Sequence, residues 1–560
     1  MSSGGGSDSS GAAATVADAG ADAGAGDSGA ALLRAELLCG EVLASGRPCS
    51  GGEAEAALRA AWPPGAAPQP AAVDGVCAAV LERAGMRWAY RDASGLCGLY
   101  VQPQPDGRWR VASGLEAFAG AAAGGLRIDR QALHEYLRLL DVAAPRSWLQ
   151  GVRAVEPGQL LRLPPGQAAV AEAPWVPPAT VPPPDFEAAL DALDSRLQAS
   201  VAARRPAGAP VAAFLSGGVD SALICATAAR QPGVTTAVTV GFDGAGYDEA
   251  PRAARIAAHL GLPHEVLRFD RADYLRAFER LARGMDQPMA DPATMATLLA
   301  FEHCRARHAL VLDGTGADEA VGALPPRHVR LGVGVAGRLP LRLRHALLRG
   351  VRRLPALARY APILDFEHPA ELLSRWQGYR RAEIEELCGE PVALEHTTFY
   401  RTCARYAPGA HFERYSALLE AMPGDRLVQA TRLSGLRVRY PYCAHEVGAF
   451  LRQLPAPWRH APGQPKRILR ELLARHLPRE LCAAPKQGLT FPLHDFLAGE
   501  GHALVHRHVL EGRWLRRGLL RAEVVRRHAR QYIDGDRRLL FRIWALVVLG
   551  AWLDHHEHLT

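Results

Sequence analysis

Val211-Ala212-Ala213-Phe214-Leu215-Ser216-Gly217-Gly218-Val219-Asp220-Ser221 is the stretch on which the fold turns. Residues 211–215 are an unbroken apolar run, short enough for a strand buried on both faces. Residues 222–226 continue as Ala-Leu-Ile-Cys-Ala, the opening turns of a helix. Strand, glycine-rich turn and helix start together make an anion site. Glycines let the backbone come close to a phosphate, and the first helical N–H groups have no partner within the helix. The Ser216 and Ser221 hydroxyls can donate to phosphate oxygens, and Asp220 can hold Mg²⁺ beside them. No Gly-Lys-Ser/Thr closes the loop, so this is not a Walker phosphate loop. The alternative is a glycine-rich turn that merely opens a helix.

Around this stretch the chain alternates between helical and strand patterns. Residues 186–204 have helical periodicity, 234–242 are a β-branched run, 247–260 form a helix ending at Gly261, and 309–312 are another short buried strand. Such alternation predicts a parallel sheet covered on both faces, with loops at the carboxyl ends of its strands available to ligands. After Pro325 the pattern is mostly helical.

The second strand leads into Asp313-Gly314-Thr315-Gly316-Ala317-Asp318-Glu319. A parallel sheet places these acids at the same edge as Asp220, where two aspartates could share Mg²⁺; alone, the segment reads equally as a solvated acidic turn. Lys486, in Pro485-Lys486-Gln487-Gly488, could neutralise charge at a reaction centre or be a surface charge. Lys466 and Lys486 are the only lysines in the chain, and arginine does not replace a lysine's compact charge.

Composition bounds the rest. The chain has 560 residues, enough for more than one domain, with 48% hydrophobic and 22% charged residues, as in soluble globular proteins. The start is polar and acidic, unlike a signal peptide. The longest apolar run, 543–553, is shorter than the roughly 20 residues a bilayer span needs, so no membrane span is expected. Ten scattered cysteines without Cys-x-x-Cys spacing fit a reducing cytoplasm. The net charge of +7 is too diffuse to argue for nucleic acid. Residues 327–353 hold eight arginines and no acid, which reads either as a solvated basic helical face or as a docking surface for an acidic partner.

Four segments are expected. Residues 1–30 are a Gly/Ala/Ser/Asp-rich tail expected to be disordered. Residues 31–172 form a first domain with strands at 88–90, 98–101 and 109–112 and a turn at Pro105-Asp106-Gly107. Residues 173–184 are a Pro-rich linker, and 185–560 form the second domain.

Several motifs occur in the order and spacing of the asparagine synthetase family of N-type ATP pyrophosphatases. The 216–221 loop resembles that family's pyrophosphate loop. Thr239-Val240-Gly241-Phe242 with Tyr247-Asp248-Glu249 and residues 259–264 resembles its adenine-side segment. Asp286-Gln287-Pro288 with Asp291-Pro292, residues 314–319, Val438-Arg439-Tyr440-Pro441-Tyr442, residues 466–470 and 485–488 complete the similarity. The resemblance implies an α/β protein: a degenerate Ntn-hydrolase, glutaminase-like N-terminal domain followed by a parallel-sheet ATP-pyrophosphatase synthetase domain with a helical C-terminal part. It implies ATP and Mg²⁺, with Ser216, Gly217, Gly218, Asp220, Ser221, Gly241 and Gly316 at the nucleotide, Asp220 and Asp318 at the metal, and Lys486, Asp318 and Glu319 in catalysis.

The first domain resembles the end of the family's glutaminase domain through residues 92–95, 111–117, 128–129 and 155–158. That activity needs an N-terminal cysteine whose amine acts as base. Met1 is followed here by Ser2, and Cys39-Gly40 is the only echo, with little room before Trp88 for glutamine-binding strands. The family's extra glutamate stands at Thr315 and its aspartate at Ala444, and both are missing. Among relatives the chain therefore looks most similar to lasso-peptide cyclases. That resemblance implies adenylation of an Asp or Glu side chain in a precursor peptide and attack by the peptide's N-terminal amine, with a leader-peptide protease and a leader-recognition protein as partners. An ammonia-dependent amidotransferase and a β-lactam synthetase are the alternatives.

Overall fold

In the computed structural model of the chain, the described residues are 16–17, 34–44, 47–62, 69, 72–118, 127–172, 175–206, 209–242, 248–324, 336–354, 364, 366, 371, 378–407, 410–422, 425–461, 463–482, 491–499 and 501–557. The tail at 1–30 apart from 16–17, Tyr247, and the 485–488 loop with Lys486 lie outside them.

Among the described residues, ten strands build the N-terminal part. They are β1 (Val16–Ala17), β2 (Arg34–Ala44), β3 (Arg47–Cys49), β4 (Gly75–Arg83), β5 (Met86–Arg91), β6 (Tyr100–Pro103), β7 (Trp109–Ala112), β8 (Arg153–Ala154), β9 (Leu160–Leu163) and β10 (Val170–Ala171). They form two antiparallel sheets, β10-β9-β5-β4-β2-β3 and β1-β7-β6-β8. Side chains alternate across β4 as a strand's two-residue period requires. Ala78 and Val80 face the second sheet with Leu99, Val101 and Val111, while Cys77, Ala79 and Leu81 face the helix Gly51–Ala61 through Leu58 and Trp62. The segment between Cys39 and Trp88, which looked short in sequence, contains the long strand β4 paired along most of β2. The expected strand at 98–101 begins two residues later, at Tyr100.

The second part is a five-stranded parallel sheet. β11 (Val211–Phe214), β12 (Thr235–Val240), β13 (His264–Leu267), β14 (Leu310–Leu312) and β15 (Val438–Arg439) lie in the order β13-β12-β11-β14-β15. Ala212, Val238 and Val311 point into one helical layer and Val211, Ala213, Leu310 and Leu312 into the other. The chain runs outward from β11 in one direction and returns to add β14 on its other side. That reversal makes the β11/β14 boundary the topological switch point, where open parallel sheets carry their crevice.

One core crosses the expected domain boundary. The helix Arg130–Leu139 and Trp148 share one core with Tyr100 and Ala112 of the antiparallel part and with the C-terminal helix Leu540–His555. Tyr136 Oη donates to the Ala545 carbonyl at 2.8 Å, and Trp148 meets Trp552 edge-on at 5.8 Å. The apolar 540–555 segment is this buried helix, and among the described residues no helix is long and apolar enough to cross a membrane. The segment expected as a linker is docked instead. Gln453 donates to the Pro178 carbonyl at 2.7 Å and accepts from Thr180 N at 2.9 Å, and Arg452 lies over the Trp175 ring. In the arginine-rich segment, residues 341–353 are helical; Arg344 is buried over the Phe366 ring, while Leu343 and Leu347 are exposed.

Candidate active site

Ser216–Ser221 chemistry begins where β11 ends. Gly217 has φ +72°, a turn that glycine adopts without strain. Gly218 caps the helix Val219–Ala229 and has no side chain to satisfy the first N–H groups, leaving them for a ligand. The two hydroxyls brace the loop: Ser221 Oγ accepts from Ser216 N at 3.1 Å and lies 3.0 Å from Ser216 Oγ.

The Asp313 loop leaves the neighbouring strand, β14, and presses against the first loop. A Cβ on Gly314 would come within 3.0 Å of Ser221 N and 3.1 Å of the Asp220 carbonyl carbon, so any other residue would crowd this approach. Asp313 Oδ1 accepts from Thr315 N at 2.8 Å, and the short helix Ala317–Val321 then presents Asp318 and Glu319 in its first turn. The switch point thereby brings together Ser216, Gly217, Gly218, Asp220, Ser221, Gly316, Asp318 and Glu319. Gly241 sits one strand away, at the end of β12, where its N–H bonds the Leu267 carbonyl at 2.9 Å beside the Asp248–Arg268 ion pair.

The residue that joins the two acids is Lys466, which sequence reasoning placed only within a family motif. Its buried Nζ lies 2.5 Å from Asp220 Oδ2 and 2.8 Å from Asp318 Oδ1. Burial alone would lower its pKa, but the two carboxylates outweigh it and hold the ammonium well above the ordinary lysine range. Its backbone is left-handed, with φ +56°, which costs a non-glycine residue roughly 1–2 kcal/mol. His460 supports it, accepting from Lys466 N at 3.3 Å and contacting the Gly322 carbonyl through Nε2 at 2.7 Å. That pattern fits the neutral tautomer with its proton on Nε2, and burial keeps the His460 pKa below its usual value. The legible trace of Lys466 in the sequence was its rarity.

One ammonium within reach of both carboxylates means that Asp220 and Asp318 can also face one metal ion. The donors are carboxylate oxygens, the set a hard divalent cation such as Mg²⁺ prefers.

The other expected loop serves packing. Asp286 is buried; its Oδ1 accepts from Leu115 N at 3.2 Å and pairs with Arg432 at 3.3 Å, while Gln287 binds Trp148 N and the Val142 carbonyl. Burial raises the Asp286 pKa well above the usual range. Arg439, at the edge strand, forms a two-pronged ion pair with Glu41 of β2 at 2.8 and 3.0 Å, tying the two parts together.

Residues 192–554 match the asparagine synthase family, and residues 51–175 match the glutamine amidotransferase domain. The chain belongs to the asparagine synthase family. It is therefore an ATP-dependent, amide-forming ligase. It is 27% identical over 441 residues to a Mycobacterium bovis protein named for its similarity to glutamine-hydrolyzing asparagine synthetases, covering 76% of this chain and 67% of that one. It is 23% identical to glutamine-hydrolyzing asparagine synthetase 1 of Bacillus subtilis, covering 77% and 70%. A solved NMN synthetase from Francisella tularensis aligns with 43% of this chain and 95% of its own at 13% identity and a TM-score of 0.22, which bears on nothing further.

Proposed function

We propose that this ligase is a macrocyclase of the lasso-peptide type. It would adenylate an Asp or Glu side chain of a ribosomal precursor peptide and join it to the peptide's N-terminal amine, releasing AMP and pyrophosphate. The observation that carries the reading is the setting of Cys39. This residue lies inside β2, its partner across β4 is Ala78, and paired residues both precede and follow it. A cysteine held in mid-strand has no α-amine to act as base, so Cys39 cannot be the nucleophile that would release ammonia from glutamine. Ammonia from solution or an amine of the substrate itself is then the nucleophile, and this reading takes the second.

In this reading ATP is a substrate. The 216–221 loop and the N–H groups of the following helix receive its phosphates. Asp220 and Asp318 hold Mg²⁺, which offsets phosphate charge when bound. Lys466 neutralises the two acids and keeps them in place. Lys486 would supply charge at the acyl centre. Holding the peptide's amine and acyl-adenylate together removes an entropic barrier worth up to roughly 7–11 kcal/mol. A leader-peptide protease and a leader-recognition protein would supply the processed peptide.

ATP–pyrophosphate exchange with mass spectrometry tests the reading. AMP formation with a precursor peptide, together with loss of one water from that peptide, is expected. Turnover with free aspartate and ammonia alone would overturn it and favour the activity named for the relatives.

A further inference from the structure

A small, partly open cleft lies between the two parts of the molecule. Its walls are the 92–96 loop of the sandwich, the 315–319 loop that carries Asp318, and the start of the helix His445–Gln453. Thr315, Gly316 and Glu319, which flank Asp318 in the chain, line it, so it adjoins the loop that supplies one of the two carboxylates. An amine that attacks an acyl-adenylate must lose a proton, and a neutral base on the cleft wall is the simplest acceptor.

The titratable side chains on the wall differ in what they already do. Asp92 accepts from the backbone N–H groups of Cys77 and Ser94 and from the Ser94 hydroxyl. Glu420 pairs with Arg452 at 3.1 Å. Burial pushes the Cys443 thiol far up, which keeps it protonated. Glu319 stands next to Asp318 on the loop of the carboxylate pair. His445 is different. Among the described residues its ring nitrogens have no hydrogen-bond partner, and its ring is held 5.4 Å from Trp175.

We infer that His445 is the base that takes the proton from the attacking amine. This rests on the ligase reading of the preceding subsection. The nitrogen lone pair forms the new bond to the acyl carbon. The proton passes from nitrogen to the imidazole and then to solvent. The carbon–oxygen bond to AMP breaks, with its electron pair leaving on the phosphate.

The surroundings keep the imidazole in its basic form. Burial lowers its pKa; Asp74, whose carboxylate accepts from His445 N at 3.2 Å, opposes this, and Arg452 and Arg204 reinforce it. His445 is also the first residue of its helix, where the backbone dipole disfavours an imidazolium. Asp92, Glu319 and Glu420 are the acids of the facing walls.

His445→Ala and His445→Gln in the full chain test the assignment. Free aspartate and candidate precursor peptides serve as carboxylate donors, and ammonium, the peptide amine and hydroxylamine as nucleophiles. Both variants should keep ATP–pyrophosphate exchange within about threefold while amide formation falls by about 10²-fold or more. Hydroxylamine, which is largely unprotonated at neutral pH, should form hydroxamate at the wild-type rate. Wild-type amide formation should decline as pH falls through the pKa of the base, and the variants should lose that limb. Amide formation within threefold of wild type would overturn the inference, as would a parallel fall in exchange, hydroxamate and amide. Amide formation from aspartate and ammonia alone would reject the peptide reading yet leave the role of His445 measurable. Absence of exchange with every donor would reject the ligase reading and this inference with it.

Discussion

The loop that follows β11 and the Asp92-Ala93-Ser94-Gly95 loop of the sandwich both hold aspartate, serine and glycine, and the fold uses them in opposite ways. At the switch point, Gly218 leaves helix N–H groups unsatisfied and two aspartates converge on a single lysine. In the sandwich, polar groups are spent on architecture. Asp92 caps backbone N–H groups, Arg91 donates to the Val155 and Gly95 carbonyls at 2.8 and 2.6 Å, and Cys39 Sγ rests 3.0 Å from Cys97 Sγ. Residue type alone does not mark a site. What marks it is whether the fold leaves hydrogen-bonding capacity facing a ligand.

The largest test of this contrast is Lys466→Ala. It leaves two acids facing each other and should slow ATP–pyrophosphate exchange by about 10²–10³-fold. It should also lower the melting temperature in chelator, with partial recovery in Mg²⁺. Exchange at the wild-type rate would show that the acids need no cation of their own.

The next effect belongs to a buried acid on the architectural side. Burial raises the Glu135 carboxyl from 4.5 to about 7, with Ala143 N–H and Arg146 opposing the shift. The folded state thus keeps a proton that the unfolded chain releases. Its contribution is complete below about pH 4.5 and falls as pH rises through 7, a loss of about 3 kcal/mol. Glu135→Gln should flatten this decline in denaturant melts between pH 5 and 8, and an unchanged slope would contradict the assignment.

Glu41→Gln removes one side of the pair with Arg439 and should destabilise the protein by about 1–3 kcal/mol in urea unfolding, with little effect on nucleotide binding. The smallest effect is expected from Cys39→Ala, which should leave exchange and product formation within about twofold. Loss of a glutamine-dependent activity in that variant would erase the contrast between the two regions.

Much of the ligase half was legible because its determinants are local. An apolar tetrad, two glycines and a helix start specify one loop, and strand alternation predicts that Asp318 joins Asp220. Lys466 was not legible, because its approach depends on a connection some 250 residues downstream and on a left-handed backbone that a lysine seldom adopts. His445 was hidden for a similar reason: its setting depends on Trp175, in a stretch that reads as linker. The bracing role of Asp286 was not legible either, because its partners Leu115 and Arg432 lie far from it in the chain.

The packing of Arg130–Leu139 against Leu540–His555 bears on the history of the gene. A deletion at the front of the coding sequence would strip packing from the ligase core, so it is disfavoured whatever reaction the first domain performs. An early stretch of the message and its far end are bound into one folding unit, so the first domain is kept as scaffolding for the ligase independently of its own chemistry.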